Sequence, residues 1–374
     1  MSGVLMLAGS FPPRVCGVGD YTRNLVGHLA LQGAPVAVWT LADEITSGPG
    51  VYPVITGWDR AGVRNLVRRI REAHPAVVHL QYERSLFDQS TAVTLLLPEL
   101  LRGLGIPLVT TFHALDGPKS WGCAHRAALL PLLLQSRNIV VCSSRQERAL
   151  SRIPSIARKV TRIPVGAGIE PAEPPVPVAK TRSADALLHL VYFGFVWRGR
   201  GIETVLRTVA ALPPKTVLLE IIGGVRDKEY QAELLALASD LGIQDRVLFH
   251  GEMPGAAVSD HLARADAALL PFPTGASTGR SSLMAAFAHG LPAVTTDDPA
   301  NLPTEFRDGE NLLLAPVGDD DAFLAATRRV IESAELRTRL SEGALELSQT
   351  VFSWTEIARR TLALPAYRAL GLTR

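Results

Sequence analysis

The chain is poor in cysteine, nearly balanced in charge and without a long apolar run, and each shortage excludes a class of protein. Cys16, Cys123 and Cys142 are widely spaced, odd in number and without metal-ligand spacing, which fits a reduced cytosol better than an oxidising compartment. A formal net charge of +2 lacks the basic excess expected of a dedicated nucleic-acid binder. No uninterrupted apolar stretch reaches the ~20 residues that a membrane span requires. The richest run, 92–108, is broken by Glu99, Arg102 and two prolines. The opening MSGVLMLAGSFPPR has no basic n-region and too short an apolar run for a secretory leader, so it reads as a first strand. No internal repeat with a period of about 20–50 residues is evident.

What is present is an ordinary globular composition, 47% hydrophobic and 20% charged, in 374 residues, a length that suits about two domains. Short β-branched runs alternate with helical periodicity. Strands are expected at 4–7, 36–40, 77–80, 108–112, 139–142 and 160–163, then at 188–193, 217–222, 247–249, 267–270, 293–295 and 312–314. Their apolar character on both faces predicts parallel sheets covered by helices. Twelve strands are too many for one ordinary open sheet, so two doubly wound domains are expected. The boundary falls after Pro164-Val165-Gly166-Ala167-Gly168, where a proline-rich segment follows. The expected division is residues 1–168, a linker over 169–186, a second domain over 187–350 and a terminal helix over 351–374. Arg64, Arg68 and Arg71 lie opposite Val63, Leu66, Val67 and Ile70 on one helix, and Arg145, Arg148 and Arg152 repeat the arrangement. Such faces are commonly just solvated. They are also compatible with a peripheral contact at the inner face of a membrane.

The most informative stretch is 269–296, LLPFPTGASTGRSSLMAAFAHGLPAVTT. A strand opens into a loop of Pro, Gly, Ser and Thr, and a small-residue helix follows from Ser282 to His289. Backbone N–H groups and two hydroxyls at Ser281 and Ser282 make a seat for an anion, a phosphate above all. Simple helix capping by the serines is the plainer reading of the same residues. Near the N-terminus, Gly17 and Gly19 let the backbone approach a ligand just before a helix. They do not complete a dinucleotide fingerprint, because Thr22 stands where the third glycine is needed. Phe193-Gly194-Phe195-Val196-Trp197-Arg198-Gly199-Arg200-Gly201 opens the second half in the same manner. Arg198 and Arg200 place two guanidinium groups in that loop, side chains that are most often plain surface charges.

These segments resemble the family 4 glycosyltransferases, retaining enzymes of the GT-B fold. Ala286-Phe287-Ala288-His289-Gly290-Leu291-Pro292 matches the tail of the family's donor-binding motif, and Arg200-Gly201 occupies its Lys-Gly position. The two acidic positions of the motif fall on Ser277 and Ala285, so the chain lacks the family's carboxylate pair. The resemblance implies an α/β, GT-B architecture, two doubly wound Rossmann-like domains facing each other across a cleft. It implies a donor diphosphate held by Gly17, Gly19, Arg198, Arg200, Ser281, Ser282 and Leu283. The donor sugar is assigned to Ser277, Thr278 and Arg280, and the nucleotide base and ribose to Gly223, Glu252 and Met253. His113 matches the family's cleft histidine, and Glu83 and Asp116 are the acidic candidates for orienting an acceptor hydroxyl. Asp20 and Tyr82 are assigned to the acceptor.

The function so implied is retaining, metal-independent transfer of a sugar from a nucleotide-sugar, a co-substrate, to a hydroxyl of a glycan, glycolipid or small-molecule glycoside. No cofactor and no metal ligand set is expected, and the setting is cytoplasmic. The competing readings are a non-catalytic GT-B protein that senses or partners another transferase and, behind it, a sugar-nucleotide epimerase.

Overall fold

The computed structural model describes residues 3–42, 46, 48–115, 127–173 and 187–371; Cys123, Asp116 and the linker from Pro174 lie outside the described residues. Two compact units divide the chain, one formed by Met1–Val165 with Trp354–Arg374 and the other by Gly166–Ser353.

In the first unit the strands are β1 (Val4–Ala8), β2 (Val36–Leu41), β3 (Val51–Ile55), β4 (Val77–Tyr82), β5 (Leu108–Phe112), β6 (Asn138–Val141) and β7 (Val160–Arg162). They form one sheet in the order β3-β2-β1-β4-β5-β6-β7, and every pairing is parallel. The second unit holds β8 (Leu188–Phe193), β9 (Val217–Ile222), β10 (Val247–Gly251), β11 (Ala267–Leu270), β12 (Ala293–Asp297) and β13 (Leu313–Pro316). Their order is β10-β9-β8-β11-β12-β13, again all parallel. Helices on both faces explain why β1, β4 and β11 are buried along their whole length. The twelve expected strands are all present: five run one or two residues longer, four have the expected bounds, and three are shifted or shortened. β3 is the addition: Pro53 interrupts its β pattern, which is tolerated because β3 is an edge strand with one neighbour.

Local chemistry places the helices. Helix Arg60–Ala73 starts at Asp59, whose carboxylate accepts from the Gly62 N–H at 2.7 Å, and stops at His74 in the left-handed region at φ 46°. It buries Val63, Leu66, Val67 and Ile70 and leaves Arg64, Arg68 and Arg71 exposed. Trp58 and Phe87 meet edge to face at 4.5 Å in the core beneath it.

After Ser353 the chain contributes helix Trp354–Leu362 to the first unit. Trp354 is 2% exposed and packs on Tyr21 at 5.2 Å and on His28 at 6.4 Å. Beyond it, the Ala366 N–H donates to Asn138 Oδ1 at 3.0 Å, and the Tyr367 hydroxyl meets His79 Nδ1 at 2.6 Å.

Each sheet has a point where the strand order reverses. In the first unit β1 lies between β2 and β4, and in the second β8 lies between β9 and β11. The loops that leave the C-terminal ends of β1 and β4, and of β8 and β11, therefore flank a crevice on each sheet, the address at which open α/β sheets bind ligands. Those loops carry Glu83 and Arg200 and lead into the helices that begin at Gly17 and Ser281.

Candidate active site

In the second unit, the loops after β8 and β11 are pressed together. Gly201 has φ 76°, and a Cβ there would stand 2.2 Å from the Pro271 carbonyl oxygen. Only glycine fits this contact, which starts helix Ile202–Ala210 against the loop 271–280. Gly223 meets the same kind of limit at the end of β9, where a Cβ would lie 2.0 Å from the Gly194 carbonyl oxygen. The loop 271–280 is tied to β12 by Thr295 Oγ1 donating to the Leu270 carbonyl at 2.7 Å and the Ala276 N–H donating to the Thr296 carbonyl at 2.8 Å.

Arg200 is half-buried, with its guanidinium 5.0 Å from the centroid of the Trp197 ring. No carboxylate pairs with it among the described residues. Burial pushes its pKa down, and the Tyr192 hydroxyl beside it opposes that shift. Tyr192 is itself pushed up to about 12 by burial, against the pull of both Arg200 and Arg280. Both guanidinium groups thus exert a field on one buried hydroxyl at the end of β8. A desolvated cation without a counter-charge is costly, and an anion relieves the cost.

Arg280 lies over the Phe272 ring at 4.6 Å and donates to Thr274 Oγ1 at 2.5 Å. It is the N-cap of helix Ser281–Ala288 and makes no side-chain cap bond. Ser281, Ser282 and Leu283 form the first turn, so their N–H groups have no intrahelical acceptor by position, and the two serines are half-buried. The serines do not cap this helix as its N-cap residue; Arg280 holds that place. Ser277 Oγ accepts from the Gly279 N–H at 3.4 Å, whereas Thr278 is 0% exposed and has no surface to offer a sugar. Ala285 is also fully buried, so nothing at that position substitutes for a ribose-binding acid. On the other side of β8, Glu252 is exposed, and its Oε2 lies 3.0 Å from where a Cβ on Gly224 would stand, which brings it beside Gly223. Met253 follows it, half-buried.

Arg198 stands apart from this group. It is held by Glu233 through Nη1 to Oε2 at 2.7 Å, lies 3.5 Å from Asp227, and packs on the Tyr230 ring at 5.4 Å. Its charge is already matched on an exposed surface. The substitution Arg198→Ala is therefore expected to change nucleoside diphosphate affinity by less than about threefold, the scale of a surface ion pair. Titration of the variant beside the unaltered protein reads this directly.

In the first unit, helix Gly17–Leu31 begins at Gly17 itself, so Gly17 and Gly19 lie in its first turn, not in a loop before it. Its N-cap, Cys16, makes no side-chain cap bond. Asp20 is half-buried in that turn, 3.5 Å from Arg23, and burial raises its pKa against the pull of that arginine. His113 ends β5; its Nε2 is 2.9 Å from Gln81 Oε1, and Gln81 Nε2 donates to Met6 Sδ at 3.0 Å. Since Gln81 Oε1 only accepts, His113 carries its proton on Nε2, which leaves Nδ1 as an acceptor. Tyr21 meets the His113 ring edge-on at 4.8 Å. Two acceptor-side expectations are corrected. Tyr82 is 1% exposed, stacked on Phe87 and set edge to face with Phe112, so it belongs to the core. Glu83 caps the short 3-10 turn Arg84–Phe87 by accepting from the Ser85 N–H at 3.0 Å, which occupies the carboxylate locally. Asp116 lies outside the described residues.

His79 and His113 are both pushed down to about 3 by burial, with a further contribution at His79 from His113. The unfolded chain binds a proton at these imidazoles near pH 6.5, and the folded chain refuses it. The stabilisation is thus complete above pH 6.5 and is lost as pH falls toward about 3, with His79 alone contributing a slope of about 1.4 kcal/mol per pH unit. Urea unfolding is expected to show a lower midpoint at pH 5 than at pH 7; equal midpoints would contradict neutral burial.

Three partners at this site carry no signal along the chain. Tyr192 reads as an ordinary strand residue, Trp197 as a loop aromatic, and Gln81 as one polar position at a strand end. Only the fold puts Tyr192 beside two arginines and Gln81 behind His113.

Two doubly wound parallel units, with a cationic, helix-terminated crevice at the switch point of the second, define the GT-B class of glycosyltransferases. Residues 15–170 match the family model described as Glycosyltransferase Family 4, and residues 184–346 match Glycosyl transferases group 1. The chain belongs to the family 4 glycosyltransferases. It is similar to the lipopolysaccharide core biosynthesis glycosyltransferase LpsE of Rhizobium meliloti, at 33% identity over 187 residues, 49% of this chain. That match spans about half of the relative, 51% of its length. The fold is also that of sucrose-phosphate synthase from Thermosynechococcus elongatus, with a TM-score of 0.75, 19% identity and 99% of each chain covered. Anabaena HepE in complex with UDP and glucose gives a TM-score of 0.75 at 16% identity over 96% of this chain and 98% of its own.

Proposed function

We propose that the chain is a retaining glycosyltransferase that moves a sugar from a nucleotide-sugar donor to a hydroxyl acceptor. The observation that carries this reading is Arg200, a half-buried guanidinium without a carboxylate partner among the described residues, beside Arg280 and the uncapped start of helix Ser281–Ala288. Bond cleavage at the sugar leaves the bonding electron pair on the departing diphosphate, adding one negative charge to the two it already carries. Arg200 and the N–H groups of Ser281, Ser282 and Leu283 would neutralise that charge as it forms, the role that a divalent ion fills in metal-dependent transferases. The transfer step in this reading needs no metal.

Glu252 and Met253, beside Gly223, would receive the base and ribose. Ser277 and Arg280 would meet the sugar in place of the absent family acids. On the acceptor side, His113 would accept a hydrogen bond from a hydroxyl at Nδ1 while Gln81 fixes its ring, and Asp20 would take part through its half-buried carboxyl. The UDP and glucose bound to the Anabaena protein make uridine donors the first to try. The name of the Rhizobium relative makes a lipid-linked saccharide the first acceptor class. The exposed arginines of helix Arg60–Ala73 suit an anionic acceptor or surface. The test is incubation with donor and acceptor, with the anomeric configuration of the product read by NMR. Product with the donor's configuration is expected. An inverted anomer would overturn retention, and no nucleoside diphosphate release from any donor would overturn the transferase reading.

A further inference from the structure

Next to the strand end that leads to Glu252, four elements of the second unit bring a carboxylate and three imidazoles close together. Glu220 projects from β9, His250 from the end of β10, His261 from helix Gly255–Arg264 and His189 from β8. Glu220 Oε2 contacts His261 Nδ1 and lies 3.2 Å from His250 Nε2, while Glu220 Oε1 lies 3.4 Å from His189 Nδ1. The ligand atoms of Glu220, His250 and His261 all fall within 4.8 Å of one another, and the rings of His250 and His261 stand 4.7 Å apart.

We propose that Glu220, His250 and His261 bind a divalent transition metal of the zinc class, with a water as the fourth ligand and His189 Nδ1 beside the other carboxylate oxygen of Glu220. Two imidazoles and one carboxylate are the donor set that such ions select, and hard ions such as magnesium avoid imidazole. Plain hydrogen bonding leaves this cluster incomplete. His250 Nε2 is shielded from solvent and has no hydrogen-bond partner, although it faces the carboxylate. A bound dication would take lone pairs from the imidazoles and give the Glu220 carboxylate a counter-charge at the same time. Tetrahedral ligation at about 2.0–2.2 Å sets neighbouring ligand atoms ~3.3 Å apart, close to the 3.2 Å between His250 Nε2 and Glu220 Oε2. Small side-chain rotations at Glu220 and His261 would open their contact to that value. The Glu220 side chain is 14% exposed and the histidine side chains 24–34%, so an ion can enter without unfolding the sheet.

Such an ion would lock β9, β10 and helix Gly255–Arg264 together, a structural role distinct from the transfer step and independent of the transferase reading. The four residues are dispersed over 189–261 without a compact motif, which is why no metal ligand set was legible in the sequence.

The test is metal content and zinc titration of the full chain after chelator treatment, with magnesium chloride as the control probe. One zinc per chain is expected, with no competition from magnesium, and Glu220→Gln and His261→Asn are each expected to weaken zinc by about 100-fold or more. X-ray absorption on the zinc-loaded protein is expected to show imidazole scattering with nitrogen and oxygen at about 2.0–2.2 Å. That spectrum decides the matter if either variant fails to fold. Failure to retain zinc, equal affinity in folded variants, or a spectrum without imidazole would overturn the proposal.

Discussion

The substitution Arg200→Ala is expected to weaken nucleoside diphosphate binding by about 10- to 100-fold, the equivalent of ~1.5–3 kcal/mol for a lost charge-assisted hydrogen bond. The size follows from the state of the side chain in the folded protein. A surface arginine leaves water on both its free and bound sides and gains little. Arg200 has already surrendered part of its hydration to the Trp197 ring and to burial, without a carboxylate to offset the loss among the described residues. An incoming phosphate therefore meets a poorly solvated cation and displaces little water. Arg200→Lys is expected to recover only part of the affinity, because an ammonium offers no fork for two phosphate oxygens. Arg198→Ala is the matched control, since Glu233 already occupies that guanidinium. Titration calorimetry with UDP on the three variants separates these outcomes, and equal losses at Arg198 and Arg200 would show that nonspecific charge, not the seat, governs binding.

The substitution Trp354→Ala is expected to cost the first unit about 3–5 kcal/mol, the range for removing a fully buried large aromatic. Trp354 arrives from the far end of the sequence, after the whole second unit, and buries its ring against Tyr21 and His28. The same segment places Gln32 Nε2 against the Thr355 carbonyl at 2.8 Å and Tyr367 against His79. Loss of the indole leaves a cavity next to Tyr21, whose ring also supports His113. For a unit of this size the cost corresponds to a drop of roughly 6–20 °C in melting temperature. Differential scanning calorimetry reads the drop; a shift under about 2 °C would mean that the terminal helix is not docked as described.

The fold was legible because its signal is repetitive. Twelve apolar runs alternate with amphipathic helices, and a parallel sheet needs that pattern. What escaped were features in which one residue overrides the pattern. Pro53 hides β3, which exists only because an edge strand tolerates a missing donor. The glycines at Gly17 and Gly19 read as loop and are helix, since tertiary contacts at Tyr21 and Leu25 hold the first turn against its low propensity.

The candidate site was legible only in part, for a different reason. Arg200 and Ser281 are expected at the site because they follow the strands at the reversal of order, where open sheets bind ligands, while Glu252 follows the edge strand β10 and rests on the family resemblance. The same rule chose Tyr82 and Glu83, which the core and a local cap claim. Sequence position gives the address of a side chain and not its direction. The Glu220 cluster illustrates the limit: its members have nothing in common along the chain and meet only because β8, β9 and β10 are neighbours under one helix.

The central claim is that the second unit seats a nucleotide diphosphate at Arg200 and the start of helix Ser281–Ala288. Calorimetric titration of the full chain with UDP-, GDP- and ADP-sugars tests it most directly. At least one donor should bind with one site per chain and lose its affinity in Arg200→Ala; binding of none of them, or binding that ignores Arg200, would contradict the account.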